Sequence, residues 1–225
     1  LDEIAEAIKL PQPSTEKLLL ALLEIGYALK QGNEWVASEL GVYLSSKHPQ
    51  SLQRAQQLWK EEHFETWKNL KKGLQEQGRI FPENWFSYIS RDPAKLTLYH
   101  EALEKYAEKD YFHIGAKLNL LSFSSIADIG GATGKLLNLL YQDHPHLECH
   151  LLDLPSVIDQ AKDIAHIHTH PCDFFNNWPS LKVDGAFLCR VLHDWSDEEA
   201  YEILVGARKL LKGPSSRLFI IENIL

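Results

Sequence analysis

The stretch "LCRVLHDWSDEE", Leu188 to Glu199, sets His193 and Asp194 directly behind an apolar run. An imidazole can take a proton from a hydroxyl near neutral pH, because histidine is the side chain that ordinarily titrates there. Taken alone, a loop histidine more often satisfies backbone groups around it. Placement decides between the two. "VDGAFLCR" reads as a strand, and Ser196 with Glu199 forms the Ser-x-x-Glu box that opens a helix. His193 therefore lies in a short loop at the carboxyl edge of a sheet, where open α/β folds bind their ligands. The next strand, Arg217 to Ile221, presents Glu222 at its end. On a neighbouring strand, that carboxylate can hydrogen-bond the imidazole, fix its tautomer and leave the other nitrogen free to accept a proton.

Upstream, "IADIGGATGKLL" puts Asp128, Gly130, Gly131 and Gly134 between an apolar strand and a helix, where the backbone must turn tightly and approach a ligand closely. A dinucleotide loop aligned on Gly134 needs glycine where Ile129 stands, so that match fails. Asp128 would also repel a pyrophosphate. It suits a ligand with a cationic or hydroxyl-rich part, and S-adenosylmethionine, with its ammonium and sulfonium, fits better. Asp153 in "LLDLP" ends the second strand, placed to accept two ribose hydroxyls. Asp173 in "CDFFNNWP" follows the third, placed to meet an adenine amino group with Phe174 or Phe175 beside the ring. Each aspartate singly reads as a turn former. Three at successive strand ends behind a glycine loop read as a site.

The elements that position these residues fall into two parts. Residues 1–115 read as helical, with "LDEIAEAIKL", "PSTEKLLLALLEIGYAL" and a small hairpin in "KQGNEWVAS" giving the outline of a winged helix. An amphipathic stretch from Leu52 to Leu74 carries Trp59, Phe64 and Trp67, an aromatic stripe suited to a core or dimer contact. Asp92 and Pro93 supply an N-cap and an N1 proline for a helix through Tyr106. Residues 116–225 alternate five β-rich runs with helical stretches, among them "PSVIDQAKDIA" and "SDEEAYEILVGARKLL". The fold class is α/β, a Rossmann-like doubly wound parallel sheet preceded by an all-α winged-helix dimerisation domain.

Composition bounds the function. The 225 residues are 44 % hydrophobic and 24 % charged, the balance of a globular protein. A formal charge of −8 repels a phosphate backbone, so no nucleic-acid partner is expected. The rival reading, a winged-helix ligand-sensing transcription regulator, would use "STEKLLLALLEIGYAL" to read DNA, where Lys17 faces Glu16 and Glu24. No apolar run is long enough to span a membrane, and the first residues have no signal-peptide pattern, so the reading places the chain in the cytoplasm. Cys149, Cys172 and Cys189 are too widely spaced for a zinc knuckle or a disulfide framework. "HIHTH" alternates His166, His168 and His170, a legitimate metal geometry that solvent-facing histidines on an outer strand explain as well, and no metal is expected.

Taken together, "IADIGGATGKLL", "LLDLPSVI", "CDFF", "VLHDWSDEE" and "IIENIL" resemble the small-molecule O-methyltransferases of the plant caffeate and flavonoid type and their bacterial antibiotic-pathway relatives. "LDEIAEAI" to "SELGVYL" also resembles that family's winged-helix dimerisation domain. The resemblance implies methyl transfer from S-adenosylmethionine to a hydroxylated, phenolic small molecule, leaving S-adenosylhomocysteine. It implies a homodimer. Gly130 and Gly131 would contact the methionine part of the donor, Asp153 the ribose, and Asp173 with Phe174 the adenine. His193 would be the general base, with Asp194 adjoining it and Glu222 holding the imidazole. A family member that binds the donor without transferring its methyl is the alternative. Plant members often carry a lysine four residues before the histidine, where this chain has Cys189. Family members also extend further at both ends, so an incomplete sheet is expected.

Overall fold

The computed structural model describes residues 1–76, 84–111, 113–161 and 164–222. Two compact units divide the chain, Leu1–Ile80 and Phe81–Leu225.

The first unit is helical with one hairpin. Helix α1 spans Asp2–Ala7 and α2 Gln12–Glu24; strands β1, Ala28–Gln31, and β2, Glu34–Ala37, pair antiparallel across the Gly32-Asn33 turn. The sequence pattern carries the second helix on to Leu29, but it ends at Glu24. Gly26 takes φ +83° there, which lets Tyr27 N donate to Leu22 O and Gly26 N to Leu23 O. That is a Schellman cap, and it frees Ala28 and Leu29 for the strand. Three short helices follow, α3 (Gln53–Leu58), α4 (Phe64–Trp67) and α5 (Leu70–Glu76), with a π-helical turn at Trp59–His63. Trp59, Phe64 and Trp67 are exposed.

The second unit opens with α6 (Trp85–Ile89), α7 (Pro93–Asp110) and α8 (Ile114–Lys117). Asp92 Oδ1 caps α7 by accepting from Ala94 N at 2.9 Å, and the helix runs one turn beyond Tyr106. The sequence groups these helices with the first domain. They fold instead with the sheet: Tyr111 and Leu120 are buried in one cluster with Leu136, Leu140 and Phe187.

The five predicted strands form one parallel sheet. They are β3 (Ser125–Ile129), β4 (Glu148–Asp153), β5 (Ile167–Pro171), β6 (Gly185–Cys189) and β7 (Arg217–Ile221), in the order β5-β4-β3-β6-β7. Three helices connect them: α9 (Lys135–Asp143), α10 (Pro155–Ile158) and α11 (Asp197–Leu210). Both central strands, β3 and β6, are buried at every residue, which is why they read as unbroken apolar runs. Leu136, Leu137 and Leu140 of α9 cover one face, against Ile126, Leu151 and Phe187. Ile203, Ala207 and Leu210 of α11, at i, i+4 and i+7, cover the other against Ile129, Leu152 and Leu188. Helices on both faces make the sheet doubly wound.

The Ser196–Glu199 capping box starts α11 with both of its reciprocal bonds present. The helix predicted over "PSVIDQAKDIA" stops at Ile158, and residues 162 and 163 lie outside the described residues, as do the last three of "IIENIL". His166 precedes β5 and stacks on Tyr141 of α9 at 3.8 Å, leaving His168 and His170 beside His150. Among the described residues no group of three His, Cys, Asp or Glu side chains is placed to hold a metal ion. Among them, too, no helix is long and apolar enough to cross a membrane.

Candidate active site

At the carboxyl edge of the sheet lies a cavity of about 320 Å³, formed wholly by the second unit. Its size is that of a small-molecule site. Of the residues singled out in the sequence, Asp128, Gly130, Gly131, Asp153, Asp173, Phe174, His193 and Asp194 line it. Gly134 and Glu222 do not. Gly134 caps α9 with φ +78°, and Glu222 stands behind His193.

The glycine loop is tied down on two sides. Ala132 N donates to Asp153 Oδ2 at 2.8 Å, and Thr133 Oγ1 donates to Glu104 Oε1 at 2.6 Å. Gly131 admits no side chain, because a Cβ there would lie 2.4 Å from Asp128 Oδ2 and 2.6 Å from Leu151 Cδ1. Asp128 is buried, and its Oδ1 has no hydrogen-bond partner. Burial, with the charge of Asp153 adding to it, pushes the Asp128 carboxyl up to about 7. Asp153 is pushed up by burial to about 6, against the backbone bonds from Ala132 and Leu154 that favour its ionised form. Two carboxyls held out of water fit a ligand that brings positive charge and hydroxyl donors.

Asp173 does turn work. Its Oδ1 accepts from Phe175 N at 3.0 Å and its Oδ2 from Asn176 Nδ2 at 2.9 Å, which fixes the two phenylalanines at the cavity wall. Phe174 stacks on Trp178 with ring centroids 5.8 Å apart, and its edge approaches Gly130. Phe175 and Phe86 both pack on Trp195, at 4.8 and 5.8 Å.

His193 sits in a single 3-10 turn, Leu192–Asp194, between β6 and α11. Strands β6 and β7 pair with Cys189 opposite Ile221, so the loop and Glu222 emerge side by side. Glu222 Oε1 accepts from Val191 N at 3.0 Å and Leu192 N at 2.9 Å, while Oε2 lies 2.6 Å from His193 Nδ1. A carboxylate can only accept there, which assigns the imidazole proton to Nδ1 and the lone pair to Nε2. Nε2 lies 3.5 Å from Asp194 Oδ1, and the side chain is 46 % exposed, within reach of a ligand in the cavity.

Helix α7 supplies residues that the strand-end motifs do not announce. Tyr99, His100, Glu104 and Asp110 all line the cavity. Burial, followed by the charges of Asp194 and Asp153, raises the Tyr99 hydroxyl far above its ordinary value. Arg190 holds φ +57° and donates from Nη1 to Asp110 Oδ2 at 2.6 Å. Cys189, next to it, stays a thiol, because burial and the charge of Asp128 raise it. One signal was present in the sequence: His100 and Glu104 interrupt the apolar face of α7 four residues apart.

Against known proteins, a family model described as an O-methyltransferase domain matches residues 67–225. The (RS)-norcoclaurine 6-O-methyltransferase of Coptis japonica is 28% identical over 169 residues, 71% of this chain and 47% of that protein. The chain spans less than half the length of the first curated relatives it matches, 39%, 47% and 39%. Among solved structures, the mitomycin 7-O-methyltransferase MmcR superposes with a TM-score of 0.90 at 23% identity, over 100% of this chain and 70% of that one. NcsB1, an O-methyltransferase from neocarzinostatin biosynthesis solved with S-adenosyl-L-homocysteine and 1,4-dihydroxy-2-naphthoic acid, superposes with a TM-score of 0.82 at 22% identity, over 97% of this chain and 70% of that one. At such identities the likeness is one of fold.

Proposed function

The chain belongs to the O-methyltransferase domain family, and on that premise we propose that it methylates a phenolic hydroxyl of a small molecule, with S-adenosylmethionine as donor. The observation that carries this reading is the His193–Glu222 pair, with His193 lining the same cavity as Gly130 and Gly131 of the glycine loop.

The residues present fit the donor. Asp128 offers an unpartnered buried oxygen to a cation, Gly131 has no Cβ to displace Asp128 and Leu151, and Asp153 stands at the end of β4. Gly130 and Gly131 would face the methionine part, Asp153 the ribose, and Asp173 with Phe174 the adenine; Gly134 acts by starting α9. The bound donor supplies an electrophilic methyl on a sulfonium, which the acceptor oxygen takes to leave S-adenosylhomocysteine.

His193 receives the acceptor's proton on Nε2. A phenol with a pKa of about 10 is almost wholly protonated at pH 7, so its oxygen is a weak nucleophile until a base draws off the hydrogen. Glu222 keeps Nδ1–H pointed away from the acceptor and stabilises the imidazolium that forms. Asp194, beside Nε2, adds to that stabilisation. Phe86, Phe175 and Trp195 provide the flat apolar walls that an aromatic ring would occupy.

Residues 1–115 serve assembly in this reading, with α6 and α7 within them also lining the cavity, and residues 116–225 serve catalysis. Helices α1 and α2 with the β1–β2 hairpin make a winged-helix outline, and Leu18, Leu20, Ile25, Leu29 and Leu40 stand exposed on that unit. A second copy of the chain covers such a surface. Light scattering is expected to report a dimer rather than the 25.8 kDa single chain.

The test uses donor labelled in the methyl group and a panel of phenols, catechols and naphthols. Wild type should transfer label to at least one acceptor. His193→Ala should cut that rate by at least about 100-fold while S-adenosylmethionine binds as before. A variant that loses donor binding, or that keeps its rate, would remove His193 from the role of base.

A further inference from the structure

Two polar side chains on α7, His100 buried and Glu104 half-buried, take no part in the chemistry above. His100 is 7% exposed and lines the cavity, and neither of its ring nitrogens has a hydrogen-bond partner among the described residues. Buried polar atoms in folded proteins are nearly all bonded, so an imidazole with both nitrogens open points to a partner that arrives from outside. One helical turn on, Glu104 lines the same cavity, and its Oε1 is held by the Thr133 hydroxyl at 2.6 Å. That contact sets the pair against the glycine loop.

The two side chains are chemically complementary. Burial pushes His100 down to about 4, with Glu104 opposing, so the ring is neutral near pH 7 and presents one N–H donor and one acceptor nitrogen. Glu104 presents a carboxylate with lone pairs beyond the one Thr133 occupies. A cation satisfies the second, and an oxygen anion satisfies the imidazole N–H. A single hydroxyl could bridge the two but brings no positive charge to the carboxylate, and an isolated anion would meet the charge of Glu104. A group carrying ammonium and carboxylate on one carbon engages both. Asp128, which lines the same cavity, also has an unpartnered Oδ1.

We infer that His100 and Glu104 bind the α-amino-carboxylate end of the methyl donor, Glu104 accepting from the ammonium and His100 donating to the carboxylate. This rests on the donor reading above and goes beyond it, because it assigns part of donor recognition to a helix outside the strand-end motifs. The pair would therefore distinguish S-adenosylhomocysteine, which has that end, from 5′-methylthioadenosine, which lacks it.

Calorimetric titration of wild type, His100→Leu, His100→Asn and Glu104→Gln with both probes tests it. His100→Leu and Glu104→Gln should each weaken S-adenosylhomocysteine about tenfold or more, a charge-assisted bond being lost, while 5′-methylthioadenosine stays within about twofold. His100→Asn, which keeps an N–H donor, should recover part of the loss. If either variant unfolds, as seen in its thermal melt, the remaining two carry the comparison. Equal losses for both probes would mean a structural role and overturn the inference. So would unchanged binding of both, or an effect confined to the acceptor's KM. Wild type that binds neither probe would fail the donor reading itself, before any variant is compared.

Discussion

Glu222→Gln is the sharpest perturbation of the proposed chemistry, because it alters one atom and asks the imidazole to choose. The carboxylate now accepts three hydrogen bonds, from Val191 N at 3.0 Å, Leu192 N at 2.9 Å and His193 Nδ1 at 2.6 Å. Glutamine has one acceptor oxygen. Kept on the two backbone N–H groups, it leaves an NH₂ facing Nδ1, and two donors cannot share that contact. Turned the other way, it sets the NH₂ against two backbone donors. The first arrangement conflicts with one donor instead of two, and the ring resolves it by moving its proton to Nε2. That nitrogen then has no lone pair for the acceptor's proton. A general base contributes about 10² to 10⁴ in rate, and a wrong-tautomer substitution in a protease triad costs about 10⁴. The expected fall in kcat is therefore about 10²- to 10⁴-fold, or about 3–5 kcal/mol at 1.36 kcal/mol per tenfold. Stability should change little, since both backbone bonds survive and His193, 46 % exposed, finds water instead. Initial rates on the best acceptor of the panel give kcat, and imidazole ¹⁵N shifts report the tautomer. A variant within about threefold of wild type, with its proton still on Nδ1, would refute this reasoning.

Three further outcomes follow from the geometry. Gly131→Ala sets a methyl 2.4 Å from Asp128 Oδ2 and 2.6 Å from Leu151 Cδ1, both buried, so thermal melts should show a loss of about 1–3 kcal/mol. Asp128 stands at about 7, so its contribution to stability is present at acid pH and lost as pH rises through 7. A cationic donor favours the ionised form, so binding at pH 6 should release a proton and binding at pH 8 should not, read as the dependence of calorimetric heat on buffer ionisation enthalpy; the same proton exchange at both pH values would contradict it. Asp184 accepts from Ser124 N, Ser124 Oγ, Ser125 N and Lys212 Nζ at 2.8, 2.6, 3.1 and 3.0 Å, and these bonds outweigh burial and hold its carboxyl well below the usual range. Its contribution is present above the unfolded carboxylate pKa and lost as pH falls through the folded one; Asp184→Asn should therefore cost about 1.5–3 kcal/mol at pH 7 and much less in strong acid, by denaturant melts.

What could be read in the sequence was written locally. The capping box at Ser196 and Glu199, the glycines behind Asp128 and the carboxylates at strand ends depend on neighbours a few residues away, and the parallel alternation constrains which ends meet. His193 and Glu222 are legible together because consecutive parallel strands commonly pair. The rest of the cavity came from packing at long range. Helix α7 reaches the glycine loop through Thr133 and Glu104, 29 residues apart in the chain, and nothing in the local pattern of either segment states that contact. The same holds for Arg190 and Asp110, 80 residues apart. Local chemistry misled in two places. Gly26 ended α2 by adopting φ +83°, where the apolar spacing alone ran on, and His166 left the alternation of "HIHTH" to stack on Tyr141. Asp173 uses both of its oxygens in turn bonds, which also fix Phe174 and Phe175 at the cavity wall.

The central claim is that the cavity holds a sulfonium donor. Titration calorimetry of the chain with S-adenosylmethionine, and in parallel with NAD, tests it most directly. The account predicts saturable binding of order micromolar, about −8 kcal/mol, for the first and no heat for the second. Binding of NAD, or of neither, would contradict it and leave Asp128, Asp153 and the glycine loop without their proposed ligand.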